Sequence, residues 1–287
     1  MENIRVIPRL DIKGPNLVKG IHLEGLRVLG LPEEFASHYY NSGADELIFQ
    51  DVVASLYERN SLDEVITKTA KELFIPLTVG GGLRTLEDIK NVLRAGADKV
   101  SLNTAAIKNP NIIEQASREF GSSTVVIAIE AIKEPDGKYL AYVDNGREHT
   151  GVEVREWAKQ VESMGAGEIV VTSVDREGTG LGFDVELVSL VSQSVSLPVI
   201  AHGGAGTLDD ISDVVINGGA SAVTVAAMLH YDALVNAEGV IKSSSSEDEG
   251  NVEFLKSGRG FQKVSPHSLQ EIKQHLVSKD ISCRRAA

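Results

Sequence analysis

Short apolar runs alternate with segments of helical period along most of the chain. Eight runs read as strands: Ile4–Leu10, Glu46–Val52, Leu77–Val79, Lys99–Leu102, Val125–Ile129, Glu168–Thr172, Val199–Ala201 and Ala222–Val225. They are β-branched and carry few polar residues, as parallel strands covered on both faces do. Between them, apolar spacings of three and four predict helices over Pro32–Ser42, Leu62–Leu73, Leu86–Ala95, Ile112–Phe120, Val152–Met164, Val185–Ser194, Leu208–Asn217 and Leu269–Val277. Thr85 and Thr207 each precede a leucine and two acids, which puts a capping hydroxyl and favourable charge at a helix start. Gly96 and Gly218 are expected to end the same two helices in the left-handed conformation. Eight strands alternating with eight helices predict the α/β fold class and, within it, a (β/α)8 barrel. An open doubly wound sheet shares the alternation.

An internal repeat favours the barrel. The 32 residues from Pro76 align without a gap on those from Pro198, at an offset of 122, with ten identities. The same offset carries Gly43–Ile48 onto Gly165–Val170. Two equivalent halves bury their apolar faces against each other and close naturally into a barrel. One barrel is therefore expected over residues 1–287, with two segments outside the repeat. The first, about 133–151, alternates in polarity around Asn145-Gly146 and reads as a hairpin after the fifth strand. The second, about 232–265, holds Ser243–Ser246 and an acidic run, and reads as a solvated insertion before the last helix.

Composition narrows the class. A net charge of -13 argues against a nucleic-acid partner, although a phosphorylated small molecule needs only a local pocket of donors. No apolar stretch is long enough to span a membrane, and the start of the chain lacks a signal pattern, so a cytoplasmic location is expected. The single Cys283 excludes a disulfide framework and a cysteine zinc site. No cofactor or metal is called for.

Reactive groups in such barrels sit at the C-terminal ends of strands. There the first strand offers Asp11 and the fifth Glu130, two carboxylates facing across the mouth in the manner of an acid and a base. Either one alone would read as a helix cap. Gly80-Gly81-Gly82 and Gly203-Gly204-Ala205-Gly206 each join a strand to a capped helix, and their backbone N–H groups suit an anion. Asn103-Thr104 and Ala226-Ala227 can add donors beside each. Two such turns at symmetric positions predict a long ligand with a phosphate at each end. At the opposite end, Arg5, Glu46, Lys99 and Glu168 lie at strand starts, and from spacing alone they read as a structural plug of the floor.

Together these residues resemble the HisF family, the cyclase subunits of imidazole glycerol phosphate synthase. The landmarks are Ile7-Pro8, Leu10-Asp11, Leu17-Val18-Lys19-Gly20, Gly43–Leu47, Pro76–Gly82, Gly96–Ser101, Gly165–Ile169, Thr172–Thr179 and Gly203–Gly206. The resemblance implies a glutaminase partner of the HisH type docked on the floor. It makes the ring of Arg5, Glu46, Lys99 and Glu168 an ammonia gate. It implies that ammonia converts a bis-phosphorylated phosphoribulosyl-formimino-aminoimidazole-carboxamide ribonucleotide to imidazole glycerol phosphate and aminoimidazole carboxamide ribotide, in histidine biosynthesis. Asp11 and Glu130 would be the acid/base pair. Gly81, Gly82, Asn103 and Thr104 would hold one phosphate; Gly178, Thr179, Gly203, Gly204, Ala226 and Ala227 the other. Thr172 would also contact the substrate, and Lys19 would lie on a loop that closes over it.

Four positions depart from the family pattern. Glu130 and Glu177 stand where it has aspartate, Arg9 where it has cysteine, and His202 where it has a small residue. A carboxylate one methylene longer can misplace a proton transfer, and a guanidinium beside Asp11 changes that acid's electrostatics. His202 is equally readable as a polar filler, a phosphate ligand or a proton relay. All four lie at the mouth, while the floor set is intact. That asymmetry raises an alternative: an ammonia conduit or scaffold for amidation of a cell-surface sugar, without cyclase activity. A phosphosugar isomerase on the same scaffold is a third reading, and it has no use for a gated floor.

Overall fold

The computed structural model describes residues 3–54, 62–236 and 263–284. In it the alternation closes on itself. Strand β1 (Arg5–Lys13) pairs in parallel with β4 (Leu47–Asp51). The ladder runs on through β5 (Leu77–Gly80), β6 (Lys99–Leu102), β7 (Val125–Lys133), β10 (Glu168–Ser173), β11 (Val199–His202) and β12 (Ala222–Val225). It returns to β1 through the register Arg5↔Ala222. This is the (β/α)8 barrel. Helices α1 (Pro32–Asn41), α2 (Asp63–Ala70), α3 (Leu86–Ala95), α5 (Asn111–Phe120), α6 (Val154–Ser163), α7 (Val185–Ser192), α8 (Leu208–Ile216) and α10 (Leu269–Ser278) form the outer layer. Two more helices, α4 (Thr104–Lys108) and α9 (Ala227–Asn236), follow β6 and β12.

Strand alternation divides the buried apolar residues into two clusters. Outward-facing Val6, Leu10, Ile127, Val171 and Val223 pack with Phe35, Ile89, Ile113, Trp157, Leu187 and Ile272 from the helices. Inward-facing Ile7, Ile48, Val126, Val170, Ile200 and Ala222 form a separate apolar layer inside the barrel. The charged groups inside the barrel lie below that layer, at the floor, or above it, at the mouth, while the buried Thr78 and Thr224 pair in register with Ile48 and Ile7 of the layer itself.

The half-chain repeat survives in local geometry. Thr85 and Thr207 have nearly equal φ angles, -130° and -132°, and each completes a capping box with an aspartate three residues on. Gly96 closes α3 at φ 123°. In the second half the left-handed residue is Gly219, at φ 69°, and not Gly218. Helix α8 ends at Ile216, with Asn217 as its cap still in the right-handed region. Gly218 is needed for another reason: a Cβ there would lie 2.5 Å from the Val214 carbonyl oxygen.

Strands β1 and β7 both run nine residues, past the barrel rim, and each carries an antiparallel hairpin. On β1 it is β2 (Asn16–Ile21) with β3 (Glu24–Gly30); on β7 it is β8 (Tyr139–Val143) with β9 (Glu148–Glu153). The segment after β7, expected to stand outside the repeat, thus has a counterpart on β1. Lys19 is consequently on a strand, β2, and not on a loop. Pairing of β9 with β8 also moves the start of α6 to Val154, two residues later than periodicity suggests. Of the segment at 232–265, residues 232–236 complete α9 and 263–265 precede α10; Ser243–Ser246 lie outside the described residues. No helix among the described residues is long and apolar enough to cross a membrane.

Candidate active site at the barrel mouth

Asp11 and Glu130 occupy matching places, each where its barrel strand first pairs with its hairpin: Asp11 opposite Val18 and Glu130 opposite Tyr142. Strands β1 and β7 are four apart in the eight-strand ring, so the two carboxylates stand on opposite sides of the mouth. Their surroundings differ. Asp11, 2% exposed, accepts from Arg9 Nε at 2.8 Å. Glu130 accepts from the Gly146 N–H at 2.8 Å. That N–H is aimed by a turn in which Asp144, Asn145 and Gly146 all take the left-handed conformation. Burial pushes the Glu130 carboxyl up to about 7, against the pull of Arg9 and the Gly146 N–H; Asp144 and Asp11 add to the rise.

Arg9 is buried in the layer above the inner apolar cluster. Its Nη1 lies 3.1 Å from Nδ1 of His202, which is also 3.1 Å from the Thr172 hydroxyl. Burial, with the charges of Arg9 and Lys19, holds His202 well below its ordinary range, so the ring is neutral. Because a guanidinium only donates, Nδ1 accepts from it and the ring proton sits on Nε2.

The glycine turns lie on the other pair of opposed strands, after β5 and β11. Gly81 and Gly82 have φ of 100° and 71°; Gly203 and Gly204 have 93° and 108°. The turns differ in openness. Gly81, Gly82, Asn103 and Thr104 line a cavity of about 350 Å³ that continues inward to Arg9, Gln50, Ser101, Glu130 and Thr172. Gly178, Gly203, Gly204, Ala226 and Ala227, with Lys19, Glu177 and His202, enclose only about 20 Å³. The cause is the β2–β3 hairpin. Lys19 Nζ donates to Glu177 Oε1, the Leu23 N–H to Glu177 Oε2 at 2.9 Å, and the His22 N–H to the Glu177 carbonyl at 3.0 Å. A Cβ on Gly178 would meet the Gly20 carbonyl oxygen at 2.7 Å, so the close approach needs glycine. Thr179 lines neither cavity; its hydroxyl donates to the Arg176 carbonyl at 2.7 Å. Asp11 also lines neither; its partner Arg9 lines the first.

At the floor, Arg5 Nη1 reaches Glu46 at 2.6 Å and Glu168 at 2.8 Å, and Lys99 Nζ reaches both acids at 3.1 Å. Two cations and two carboxylates thus alternate in a closed ring beneath the apolar layer.

The histidine biosynthesis protein family matches residues 5–235. An imidazole glycerol phosphate synthase subunit HisF from Legionella pneumophila is 58% identical over 212 residues, 74% of this chain and 100% of that relative. The subunit of the same name from Alkaliphilus metalliredigens is 47% identical over 79% of this chain and 90% of its own length. One from Prochlorococcus marinus strain MIT 9215 is 49% identical over 83% and 94%. This chain belongs to the HisF family.

Several mouth residues of this HisF-family chain escape sequence reasoning. Gln50, Ser101 and Asp144 line the main cavity, as does Lys108, whose Nζ lies 3.6 Å from Asp144. A signal for Gln50 and Ser101 is present in the sequence: each lies on the inward phase set by Glu46 and Lys99 at its strand start. Among the described residues no three or more His, Cys, Asp or Glu side chains are grouped to hold a metal ion.

Proposed function

We infer that this chain is the ammonia-dependent cyclase of imidazole glycerol phosphate synthase in histidine biosynthesis. It acts as a lyase on the bis-phosphorylated formimino ribonucleotide to yield imidazole glycerol phosphate and aminoimidazole carboxamide ribotide. The observation that carries the reading is the crossed arrangement of the mouth. Two glycine turns lie on one pair of opposed strands and two carboxylates on the other, so a ligand with a phosphate on each turn crosses between Asp11 and Glu130.

The chemistry needs both kinds of group. Addition of ammonia to a carbonyl carbon requires a proton taken from nitrogen and one delivered to oxygen, and release of an amine requires another delivery. Glu130, held partly protonated near neutral pH, is the acid; Asp11 is the base. Gly81, Gly82, Asn103 and Thr104 hold one phosphate. Gly178, Gly203, Gly204, Ala226 and Ala227 hold the other once Lys19 turns from Glu177 to the ligand; Thr172 contacts the ligand between them. A glutaminase subunit docks on the floor, and the ring of Arg5, Glu46, Lys99 and Glu168 gates its ammonia toward the mouth. The test supplies the purified chain with the formimino substrate and an ammonium salt and follows release of aminoimidazole carboxamide ribotide. Release supports the cyclase. No release at any ammonium concentration would sink it and favour the conduit for sugar amidation.

A further inference from the structure

The guanidinium of Arg9 stands where a ligand spanning the mouth must pass. Two of its three nitrogens are committed: Nε to Asp11 at 2.8 Å and Nη1 to His202 at 3.1 Å. The props come from β1 and β11, two strands apart in the ring, so the planar group is fixed from both sides. His202 is a suitable prop because it is neutral and its Nδ1 accepts. Nη2 makes no hydrogen bond among the described residues, yet it is not sealed off. Arg9 lines the main cavity together with Gln50, Ser101, Glu130 and Thr172, whereas Asp11 does not line it. An arginine held on two edges presents a third, charged, planar donor face at little entropic cost. The phosphate turns lie further out, at the ends of β5 and β11, so this donor meets the middle of a spanning ligand and not its ends.

We propose that Arg9 is a ligand-contacting, specificity-determining residue of the mouth, donating from Nη2 to a carbonyl or hydroxyl oxygen in the central part of the bis-phosphorylated acceptor. The proposal rests on the functional reading above. It assigns Asp11 a second duty and gives His202 its role, that of holding Arg9, and it makes Arg9 the group that tells a spanning acceptor from a bare phosphate.

Calorimetric titration tests it, with the formimino substrate in the absence of ammonia and, separately, with inorganic phosphate. Arg9→Met removes the donor, but it leaves Asp11 buried without its partner and can cost folding. Arg9→Lys keeps a cation beside Asp11 and lacks the planar fork, so it serves as the second variant. Both variants are expected to weaken the acceptor about tenfold or more, the worth of one charge-assisted hydrogen bond, with phosphate affinity within about twofold. A measurement on the unaltered chain needs no variant: the Arg9 side-chain N–H resonances should shift on adding the acceptor and not on adding phosphate. Unchanged acceptor affinity would overturn the proposal. So would an equal loss for both ligands, which would mean that Arg9 acts through the general field or the fold. A wild-type chain that binds phosphate but not the acceptor would overturn the functional reading itself, and this proposal with it.

Discussion

At the scale of single residues, the mouth is decided by which charges share its small volume. Glu130 faces Arg9 and Asp11 from β1, Asp144 from the β8–β9 turn and the Gly146 N–H. Burial outweighs the favourable partners, so the folded chain keeps a proton that the unfolded chain releases. The resulting stability is fully present below about 4.5 and is lost as pH rises through about 7. Within that window the slope approaches about 1.4 kcal/mol per pH unit. Glu130→Gln should remove that dependence, seen as urea midpoints that differ less between pH 5 and pH 8 than in the unaltered chain. Equal differences in the two proteins would count against a buried, proton-holding Glu130. Glu130→Asp is a separate matter of reach. If the extra methylene only misplaces the carboxyl, the shorter acid raises turnover, and no gain would dismiss that idea. The facing of Asp11 and Glu130 and the nearness of Arg9 to Asp11 were legible in the sequence; the rest of this pairing was not. Position 9 was readable as a departure beside Asp11, but only the fold brings His202 from β11 against it, across 193 residues of chain.

At the scale of elements, the two hairpins give the otherwise symmetric barrel an asymmetric mouth. The β8–β9 hairpin supplies the Gly146 N–H to Glu130; the β2–β3 hairpin lies across the second glycine turn and is pinned there by Glu177. Lys19 and Glu177 are both almost fully buried, with side chains 3% and 1% exposed. Removing one charge from such a pair leaves the other without compensation. Glu177→Gln should therefore lower unfolding stability by about 3 kcal/mol, and it should strengthen inorganic phosphate binding as Lys19 is freed. Unaltered stability in a denaturant titration would show that the pair does not hold the hairpin. The β8–β9 hairpin was legible because Asn145-Gly146 marks its turn. The β2–β3 hairpin was not, because its turn is His22-Leu23, two residues with φ of 52° and 61° that carry no turn signature. Alternation through Leu17–Ile21 and Leu26–Leu29 was one available cue. The repeat was another, since a hairpin on the fifth barrel strand implies a counterpart on the first.

At the scale of the whole molecule, the repeat explains why glycine turns and carboxylates fall on perpendicular pairs of strands. A half-barrel that ends one strand in an acid and opens another helix with glycines produces a crossed mouth when doubled. This much was legible, because matching helix caps and glycine turns leave their mark on adjacent residues. The layering along the axis was partly legible. Charged strand starts foretold the floor ring, but its closure, each carboxylate bridging both cations, depends on strand tilt that no local pattern records. The openness of one glycine turn against the other, about 350 Å³ against about 20 Å³, was not legible, since it arises from a hairpin meeting a loop more than 150 residues away. On the proposed function, a spanning ligand is turned over between Asp11 and Glu130. The most direct test compares initial rates of formimino-substrate consumption, with ammonium salt and no partner, for the unaltered chain and for Asp11→Asn. The unaltered chain should turn over steadily and the variant at least about a hundredfold more slowly, with substrate affinity largely kept because Asn still accepts from Arg9. Equal rates in the two proteins would contradict it, and so would tight binding of the substrate by the unaltered chain without turnover.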